Sequence, residues 1–398
     1  MPMSYFAHDE SFPFHVEQVE EFSPEYEAIA SRNSLDMHLY NYIIKLFDEQ
    51  KEIVDSYFTE EEAETMLPAE DLHEIFEDPE VEAERKAVVT VSKYVNENLM
   101  DVTVPFQQEG VATPFFWHVP KSGGTTLQRL YWCMGFTLAN EVGANPKFAF
   151  NERDDLIAFK PWSDNPGQVV NVDVSSQKGI LRAKEMGFLS KSQEPSHPHV
   201  DLVSTSEFHF TSQMLYSPEH QGRIFGLFRH PIDRAVSKFF YLQKATWEPT
   251  YNERWAEMTL DEWASRERGE NNWMVRQLIA KGPGEPLTTN DLEQAKEIIR
   301  TKFVVGLMDQ FENSVHRFNI LMGVNESDER NHQCIDEYTS SDKSASIDPK
   351  FKNTHNSYEH PDIVVGSPAW RSLQAINFYD VLLYRFIREQ FREQAALF

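Results

Sequence analysis

The segment from residue 115 to 127 constrains the fold of this chain more than any other. It reads FFWHVPKSGGTTL: an apolar strand that runs into a Gly-Gly turn and then into the first turn of a helix. Backbone N–H groups at such a helix start point at one spot, where the helix dipole also favours an anion. Lys121 adds a full charge there, and Thr125 and Thr126 add hydroxyl donors. The pattern therefore predicts a phosphate-binding loop.

The position of the lysine distinguishes between kinds of phosphate loop. ATP- and GTP-binding loops read G-x-x-x-x-G-K-[ST], with the lysine after the second glycine. Here the lysine precedes both glycines, in Pro-Lys-Ser-Gly-Gly-Thr-Thr at 120–126. This order resembles the 5′-phosphosulfate loop of sulfotransferases, which use 3′-phosphoadenosine 5′-phosphosulfate (PAPS) as donor. The resemblance implies that the donor is bound by Lys121, Ser122, Gly123, Gly124, Thr125 and Thr126.

A second segment, at 223–241, carries another anion-binding pattern. A buried strand ends in Arg229, and Pro231 opens the helix that follows. Ser237 lies about two turns into that helix and can face the strand end. Taken singly, Arg229 would also fit a surface ion pair and Ser237 a helix surface. The pattern Arg-x-Pro-x-x-Arg-x-x-Ser resembles the 3′-phosphate motif of the same family, which implies that Arg229 and Ser237 bind the 3′-phosphate of PAPS.

Strands and helices alternate around the two motifs. Strands are predicted at 168–173, 200–205 and 303–307, and helices near 178–187, 259–268, 272–280, 291–302 and 311–322. This alternation predicts an α/β fold with a central parallel sheet flanked by helices. From about residue 111 to 398 the order of elements resembles a P-loop sulfotransferase domain.

The resemblance also implies a catalytic base. His209 follows the strand predicted at 200–205, where the family often has a catalytic histidine, and a neutral imidazole suits removal of a proton from an acceptor hydroxyl. Glu207 is the alternative base, because some carbohydrate sulfotransferases use glutamate. The alternative interpretation of His209 is a histidine with only structural hydrogen bonds. Lys121 would neutralise charge on the departing phosphate oxygen, and no metal is required.

A later segment bears on the branch of the family. Lys352 lies where the family has a loop that returns to the 3′-phosphate, and it is a further candidate ligand. The Arg-Lys-Gly of cytosolic members is absent from this position, and the first loop contains Gly-Gly. Both features resemble the Golgi carbohydrate branch, of heparan type. That branch implies a carbohydrate or another hydroxyl compound as acceptor and the Golgi lumen as compartment.

The composition limits the partners. The 398 residues carry a net charge of −27, and residues 1–100 hold 25 acidic but only 6 basic side chains. Without a basic stripe the chain is not expected to bind nucleic acid. No run approaches the ~18 apolar residues of a membrane span, and the N-terminus lacks the pattern of a signal peptide. Cys133 is predicted to be a buried thiol, with a disulfide to Cys334 as the alternative.

The two ends of the chain resemble each other. Residues 23–50 align without a gap onto residues 367–394, with ten of 28 positions identical, and both copies begin with Ser-Pro and continue as one long amphipathic helix. Two unrelated amphipathic helices would also look alike. The repeat predicts instead that 1–50 is the tail of an upstream domain copy in a tandem protein, 51–110 an acidic helical connector and 111–398 the sulfotransferase domain.

Three functions remain open at this stage. The first is transfer of a sulfuryl group from PAPS to an acceptor hydroxyl. The second is a catalytically inactive nucleotide-binding module within a tandem protein. The third is a P-loop kinase, which would need a lysine after the glycines and a magnesium-binding carboxylate strand, neither of which is evident.

Overall fold

The computed structural model describes residues 91–105, 112–145, 153–161, 165–189, 198–246, 251–266, 270–339 and 361–398. The chain divides into two compact units, Met1–Glu82 and Ala83–Phe398. All described residues belong to the second unit. The predicted helical segment at 1–50, and with it the N-terminal copy of the repeat, lies outside the described residues, as does most of the predicted connector.

A sheet of seven strands lies at the centre of the described residues. Its strands are β1 (Ala112–Trp117), β2 (Thr137–Ala139), β3 (Ala158–Phe159), β4 (Gln168–Val170), β5 (Leu202–Thr205), β6 (Gln221–Phe228) and β7 (Val304–Leu307). Their order across the sheet is β3-β4-β2-β5-β1-β6-β7, and every neighbouring pair is parallel except β3 and β4. The predicted α/β class with a mostly parallel central sheet is confirmed.

Helices surround this sheet. In chain order the described α-helices are α1 (Lys93–Asn98), α2 (Gly124–Cys133), α3 (Gln177–Glu185), α4 (Phe208–Met214), α5 (Pro231–Leu242), α6 (Leu260–Arg266), α7 (Trp273–Ile279), α8 (Thr289–Lys302), α9 (Phe311–Met322), α10 (Glu329–Thr339), α11 (Pro368–Ile376) and α12 (Phe378–Glu393). Because helices cover both faces, β5 and β7 are buried along their whole length. β7 reads as a continuous apolar run, which is why it could be predicted from the sequence.

Strand β1 lies inside the sheet, between β5 and β6. Its last residue, Trp117, pairs with Thr205 on one side and with Gly226 on the other. After β1 the chain moves to β2, beyond β5, whereas after β5 it crosses β1 to β6. In an open α/β sheet the crevice at the carboxyl ends of the strands, where the connections change direction, is the usual ligand site. The predicted phosphate loop follows β1 at this position.

The side chains of β1 pack into different layers on the two faces of the sheet. Phe116 stacks on Phe225 of β6 with ring centroids 5.3 Å apart, in a core that also takes in Leu127 and Leu130 of α2. On the opposite face the fully buried Trp117 lies flat against Trp273 of α7, at 5.7 Å and 9° between the ring planes. The strand before the loop is therefore fixed from both sides.

Residues 91–105 pack on the sheet domain. Val95 of α1 and Leu99 after it are fully buried, and Leu99 forms a parallel bridge to Gly222 of β6. The ammonium of Lys302, at the end of α8, donates to the carbonyl oxygens of Asn96 and Leu99 at 3.0 and 3.1 Å. The sequence pattern places these residues in the connector, whereas the structure includes them in the unit that carries the sheet.

The C-terminal copy of the repeat is not one helix. It consists of α11 and α12, and the prediction of a single long helix is wrong at Asn377. The Asn377 side chain donates to the carbonyl of Leu373 at 2.9 Å and accepts from the N–H of Asn272 at 3.1 Å. An asparagine that bonds to nearby backbone competes with the helical pattern. The break follows from a partner 105 residues away in sequence.

Cys133 and Cys334 form a disulfide, with their Cα atoms 5.9 Å apart. The prediction of a buried free thiol at Cys133 is therefore wrong, and the alternative holds. Cys133 is the last residue of α2, the helix that begins at the predicted phosphate loop, and Cys334 lies in α10. The bond therefore fixes the C-terminal end of α2 to α10.

Candidate functional site

The loop after β1 has the backbone that a phosphate cradle needs. Lys121 adopts φ 65° and Gly123 φ 84°, both in the left-handed region, and α2 begins at Gly124. A Cβ atom on Gly123 would lie 2.5 Å from the sulfur of Met308, and one on Gly124 only 2.2 Å from the ring of His118. The backbone angle at 123 favours glycine, and a side chain at 124 would displace the ring of His118.

The two glycines supply unused donors. Among the described residues, the N–H groups of Gly123 and Gly124 have no hydrogen-bond partner, whereas those of Thr126 and Leu127 already bond to the Gly123 carbonyl, at 3.1 and 3.2 Å. The helix they begin is ten residues long, so its dipole adds a partial positive charge at the same point. This end of the loop can bind an anion without rearrangement of the backbone.

The three hydroxyl residues of the loop are placed differently. Thr125 and Thr126, in the first turn of α2, are partly exposed. Ser122 is fully buried, and its hydroxyl has no hydrogen-bond partner among the described residues. In this conformation a ligand could therefore reach the hydroxyls of the two threonines, but not that of Ser122.

Lys121 and Arg229 meet at the loop. The Lys121 ammonium lies 4.1 Å from the centre of the Tyr241 ring on α5, a cation–π contact. Arg229 directly follows β6, and its Nη1 donates to the carbonyl oxygen of Lys121 at 3.4 Å. The structure therefore brings the two sequence motifs together, at the adjoining carboxyl ends of β1 and β6.

Most N–H groups of the Arg229 guanidinium have no hydrogen-bond partner among the described residues. Its long bond to Lys121 is the one hydrogen bond it makes with described residues, and within those residues it has no ion pair closer than 4.0 Å. Burial lowers the pKa of Arg229, and the nearby carboxylates of Asp233 and Asp362 oppose that shift. A half-buried cation with unused N–H groups is suited to an anionic ligand.

Ser237 lies where the sequence predicts it, two turns into α5. It is 9% exposed, and its hydroxyl makes no hydrogen bond to any residue in the described ranges. Arg234 lies between Arg229 and Ser237 in the sequence and belongs to the same motif. Its guanidinium is buried against the Trp273 ring, 5.3 Å from the ring centre, and forms an ion pair with the buried Glu270.

His209 is engaged on both sides of its ring. Nε2 lies 2.6 Å from the carbonyl oxygen of Leu278, and Nδ1 lies 2.8 Å from the hydroxyl of Tyr94. Since a carbonyl can only accept, Nε2 carries the proton and Nδ1 accepts from the tyrosine. Burial lowers the pKa of His209, opposed by the bond to Leu278. In this conformation neither nitrogen is free to take a proton from a substrate.

Glu207 occupies a more open position. It is partly exposed between β5 and α4, and its Oε2 accepts one hydrogen bond, from Gln177 at 3.3 Å. Its N–H donates to the hydroxyl of Thr205, the last residue of β5. Glu207 therefore lies at the carboxyl edge of the sheet, beside the strand that carries the loop.

Comparison with known proteins does not assign the chain to a family. No known family matches. A search of curated proteins also finds no relative of the chain. The site is therefore interpreted from its residues and contacts.

One predicted ligand, a metal site and a membrane span are considered in turn. Lys352 lies outside the described residues. In the part of the chain that the structure describes, no three His, Cys, Asp or Glu side chains are grouped so as to hold a metal ion. No helix there is long and apolar enough to span a membrane.

One residue of the site was missed from the sequence. His118 directly follows β1 and packs beneath the start of α2, yet the sequence offered no reason to prefer it to the other histidines. Only its packing against Gly124, which the structure shows, distinguishes it from them.

Proposed function

We propose that this protein is a PAPS-dependent sulfotransferase that acts on a hydroxyl of a carbohydrate acceptor. The observation that carries the proposal is the contact between Arg229 and the carbonyl of Lys121. It joins two separate anion-binding groups, the loop after β1 and the arginine after β6. PAPS carries phosphate on both sides of its ribose, so such a pair of adjoining sites suits it.

Different residues would bind the 5′-phosphate and the 3′-phosphate of the donor. The N–H groups of Gly123 and Gly124, with the hydroxyls of Thr125 and Thr126, would hold the 5′-phosphate. Arg229 and Ser237 would hold the 3′-phosphate. When bound, PAPS supplies the sulfuryl group, and Lys121 would stabilise the charge left on the phosphate oxygen.

Glu207 fits the role of base better than His209. Its carboxylate is partly exposed at the sheet edge and accepts a single long hydrogen bond. His209 would first have to give up its bond to Tyr94 or to Leu278. We therefore assign proton removal from the acceptor hydroxyl to Glu207. His209 has a structural role instead: its two hydrogen bonds hold α4 against α1 and α7.

The disulfide supports the proposed compartment. Disulfides persist in secretory compartments and are rare in the cytosol. Cys133 and Cys334 would therefore be paired in a Golgi lumen, where carbohydrate sulfotransferases of this type work.

Calorimetric binding of 3′,5′-adenosine bisphosphate in the presence of EDTA tests the donor site. Arg229→Ala should weaken binding at least about 10-fold, because it removes a charge-assisted contact to the 3′-phosphate. Lys121→Ala should weaken it as well, and ATP should bind more weakly than the bisphosphate. In a parallel titration with Mg²⁺ and no EDTA, tighter binding of ATP would support the kinase instead, and no binding of either nucleotide would rule out both.

The same strand offers a matched control. Arg223, near the opposite end of β6, is buried and donates to the carbonyl of Val104 at 2.9 Å. Arg223→Ala should lower the unfolding temperature and leave the bisphosphate affinity unchanged. Sulfation of a carbohydrate library with radiolabelled donor then separates an active enzyme from an inactive binding module.

A further inference from the structure

His118 lies in the wall of the predicted phosphate loop. Its N–H donates to the carbonyl of Thr205 at 2.9 Å, which continues the pairing of β1 with β5. Its ring stacks on that of Phe116, with centroids 5.7 Å apart and 20° between the planes. The side chain therefore points to the face of the sheet that α2 covers.

The ring is in close contact with the first residue of α2. A Cβ atom on Gly124 would lie 2.2 Å from Cδ2 and 2.5 Å from Nε2 of His118. The edge of the imidazole that carries Nε2 thus adjoins the helix start, where the N–H groups of Gly123 and Gly124 are unused. A third polar group stands beside these two donors.

The polar atoms of His118 have no partner within the described ranges. Neither ring nitrogen forms a hydrogen bond there, and the side chain remains partly exposed. Burial and the adjacent charge of Lys121 lower the pKa of His118 to about 4. At neutral pH the ring therefore carries one N–H and one lone pair, and it adds no charge to a site that already holds a lysine and a helix dipole.

We propose that His118 is part of the donor site and gives a hydrogen bond from its neutral imidazole to the 5′-phosphate oxygens, beside the N–H groups of Gly123 and Gly124. The proposal rests on the proposed function. A neutral donor adds an oriented hydrogen bond without the cost of burying a second cation next to Lys121.

Two substitutions separate a hydrogen bond from packing. His118→Phe keeps a flat ring on Phe116 but removes the donor, whereas His118→Gln places an amide N–H near the position of Nε2. We expect His118→Phe to weaken 3′,5′-adenosine bisphosphate about 10- to 100-fold and His118→Gln to stay within about 3-fold of the wild type. Adenosine 3′-phosphate, which lacks the 5′-phosphate, should bind all three proteins equally.

His220 provides the matched control. It is a partly buried histidine directly before β6, where its Nε2 lies 2.7 Å from the hydroxyl of Thr113 near the start of β1. His220→Phe should leave both affinities unchanged. Equal binding by wild type and His118→Phe would overturn the role of His118 and leave the proposed function standing. A wild type that binds neither nucleotide overturns both.

A measurement on the unmodified sequence guards against a variant that does not fold. With ¹⁵N-labelled histidine, the His118 ring should show a neutral imidazole at pH 6, and its protonated nitrogen should shift when the bisphosphate is added. A ring signal that is unchanged at saturation would overturn the proposal.

Discussion

Glu207 and His209 lie two residues apart, yet their surroundings give them different chemistry. The imidazole of His209 sits between Tyr94 and Leu278, bonded at 2.8 and 2.6 Å. The carboxylate of Glu207 lies at the sheet edge with one bond, at 3.3 Å, from Gln177. A general base needs a free lone pair within reach of the substrate, so geometry separates the two candidates before acidity does.

Glu207→Gln should lower kcat by about 10²- to 10⁴-fold once a carbohydrate acceptor is found, because it removes the proton acceptor. Its affinity for 3′,5′-adenosine bisphosphate should stay at the wild-type value. His209→Gln should instead lower the unfolding temperature and change kcat by less than about 10-fold. Steady-state kinetics and calorimetry on both variants measure these effects, and the opposite ranking of kcat would return the role of base to His209.

The sequence was sufficient to predict the Gly-Gly turn after β1 and the position of Arg229 after β6, but not the surroundings of His209. Gly123 and Gly124 are recognisable because two glycines between an apolar strand and a helix mark a tight turn. The state of His209 depends on Tyr94, 115 residues away, and on Leu278, 69 residues away. No local pattern carries that information. His118 was missed for the same reason, since only packing against Gly124 distinguishes it.

At the scale of elements, helix α7 links the two motifs. Its first residue, Trp273, stacks on Trp117 before the loop and carries the guanidinium of Arg234 from α5 on its ring. Burial alone would raise the pKa of Glu270, but the charges of Arg234 and Lys238 hold it below its usual value. This buried group fixes α5, and with it Ser237, relative to β1.

The start of α7 is capped by a carboxylate from α12. Asp380 is fully buried and accepts from the N–H groups of Met274 and Val275, each at 2.9 Å. Burial raises the pKa of Asp380 to about 6, although the charge of Arg234 and these two bonds oppose the shift. The ordinary value is 3.8, so the folded protein binds this proton more tightly than the unfolded chain does.

Asp380 should therefore reduce the free energy of unfolding as the pH rises. With a folded pKa of about 6 and an ordinary unfolded value, its contribution falls by about 1.4 kcal/mol between pH 5 and 8, nearly all of it below pH 7. Urea unfolding at pH 5 and pH 8 measures this. Asp380→Asn should be less stable than wild type by a larger margin at pH 5, and an equal margin at both values would show that Asp380 does not titrate in this range.

Most of the elements could be predicted, whereas the break at Asn377 could not. Buried runs such as 303–307 mark β7 because helices cover both of its sides. Between α11 and α12 the amphipathic pattern continues through Asn377. The helix breaks there because Asn377 bonds to Asn272, and Asn272 in turn accepts from the N–H of Tyr379 at 2.8 Å. Hydrogen bonds between segments that are distant in sequence do not change the hydrophobic periodicity, so the sequence pattern does not reveal them.

At the scale of the whole molecule, the sheet order places the two motifs at the ends of the neighbouring strands β1 and β6, and the disulfide joins the loop helix α2 to α10. Cys133 and Cys334 are 201 residues apart, so their bond spans six of the seven strands of the described sheet in sequence and begins at the end of the loop helix. Closing so long a segment limits the unfolded chain more than closing a short one does.

Replacing both cysteines by alanine should therefore lower the free energy of unfolding by about 2 to 4 kcal/mol. Wild type in a strong thiol reductant should shift to a lower urea midpoint, whereas the double variant should not respond to reductant. Chemical unfolding with and without reductant tests this. A wild-type midpoint that is identical in both conditions would mean that the bond contributes nothing to stability.

The same bond decides the covalent topology of the chain. The backbone from Cys133 to Cys334 and the disulfide together form a closed ring that bears a tail on each side. A single cut anywhere within the ring, including the segment that carries Glu207, Arg229 and Ser237, would leave one covalent molecule. Such a molecule would separate into two pieces only after reduction, so a nicked chain could keep both halves of the donor site together.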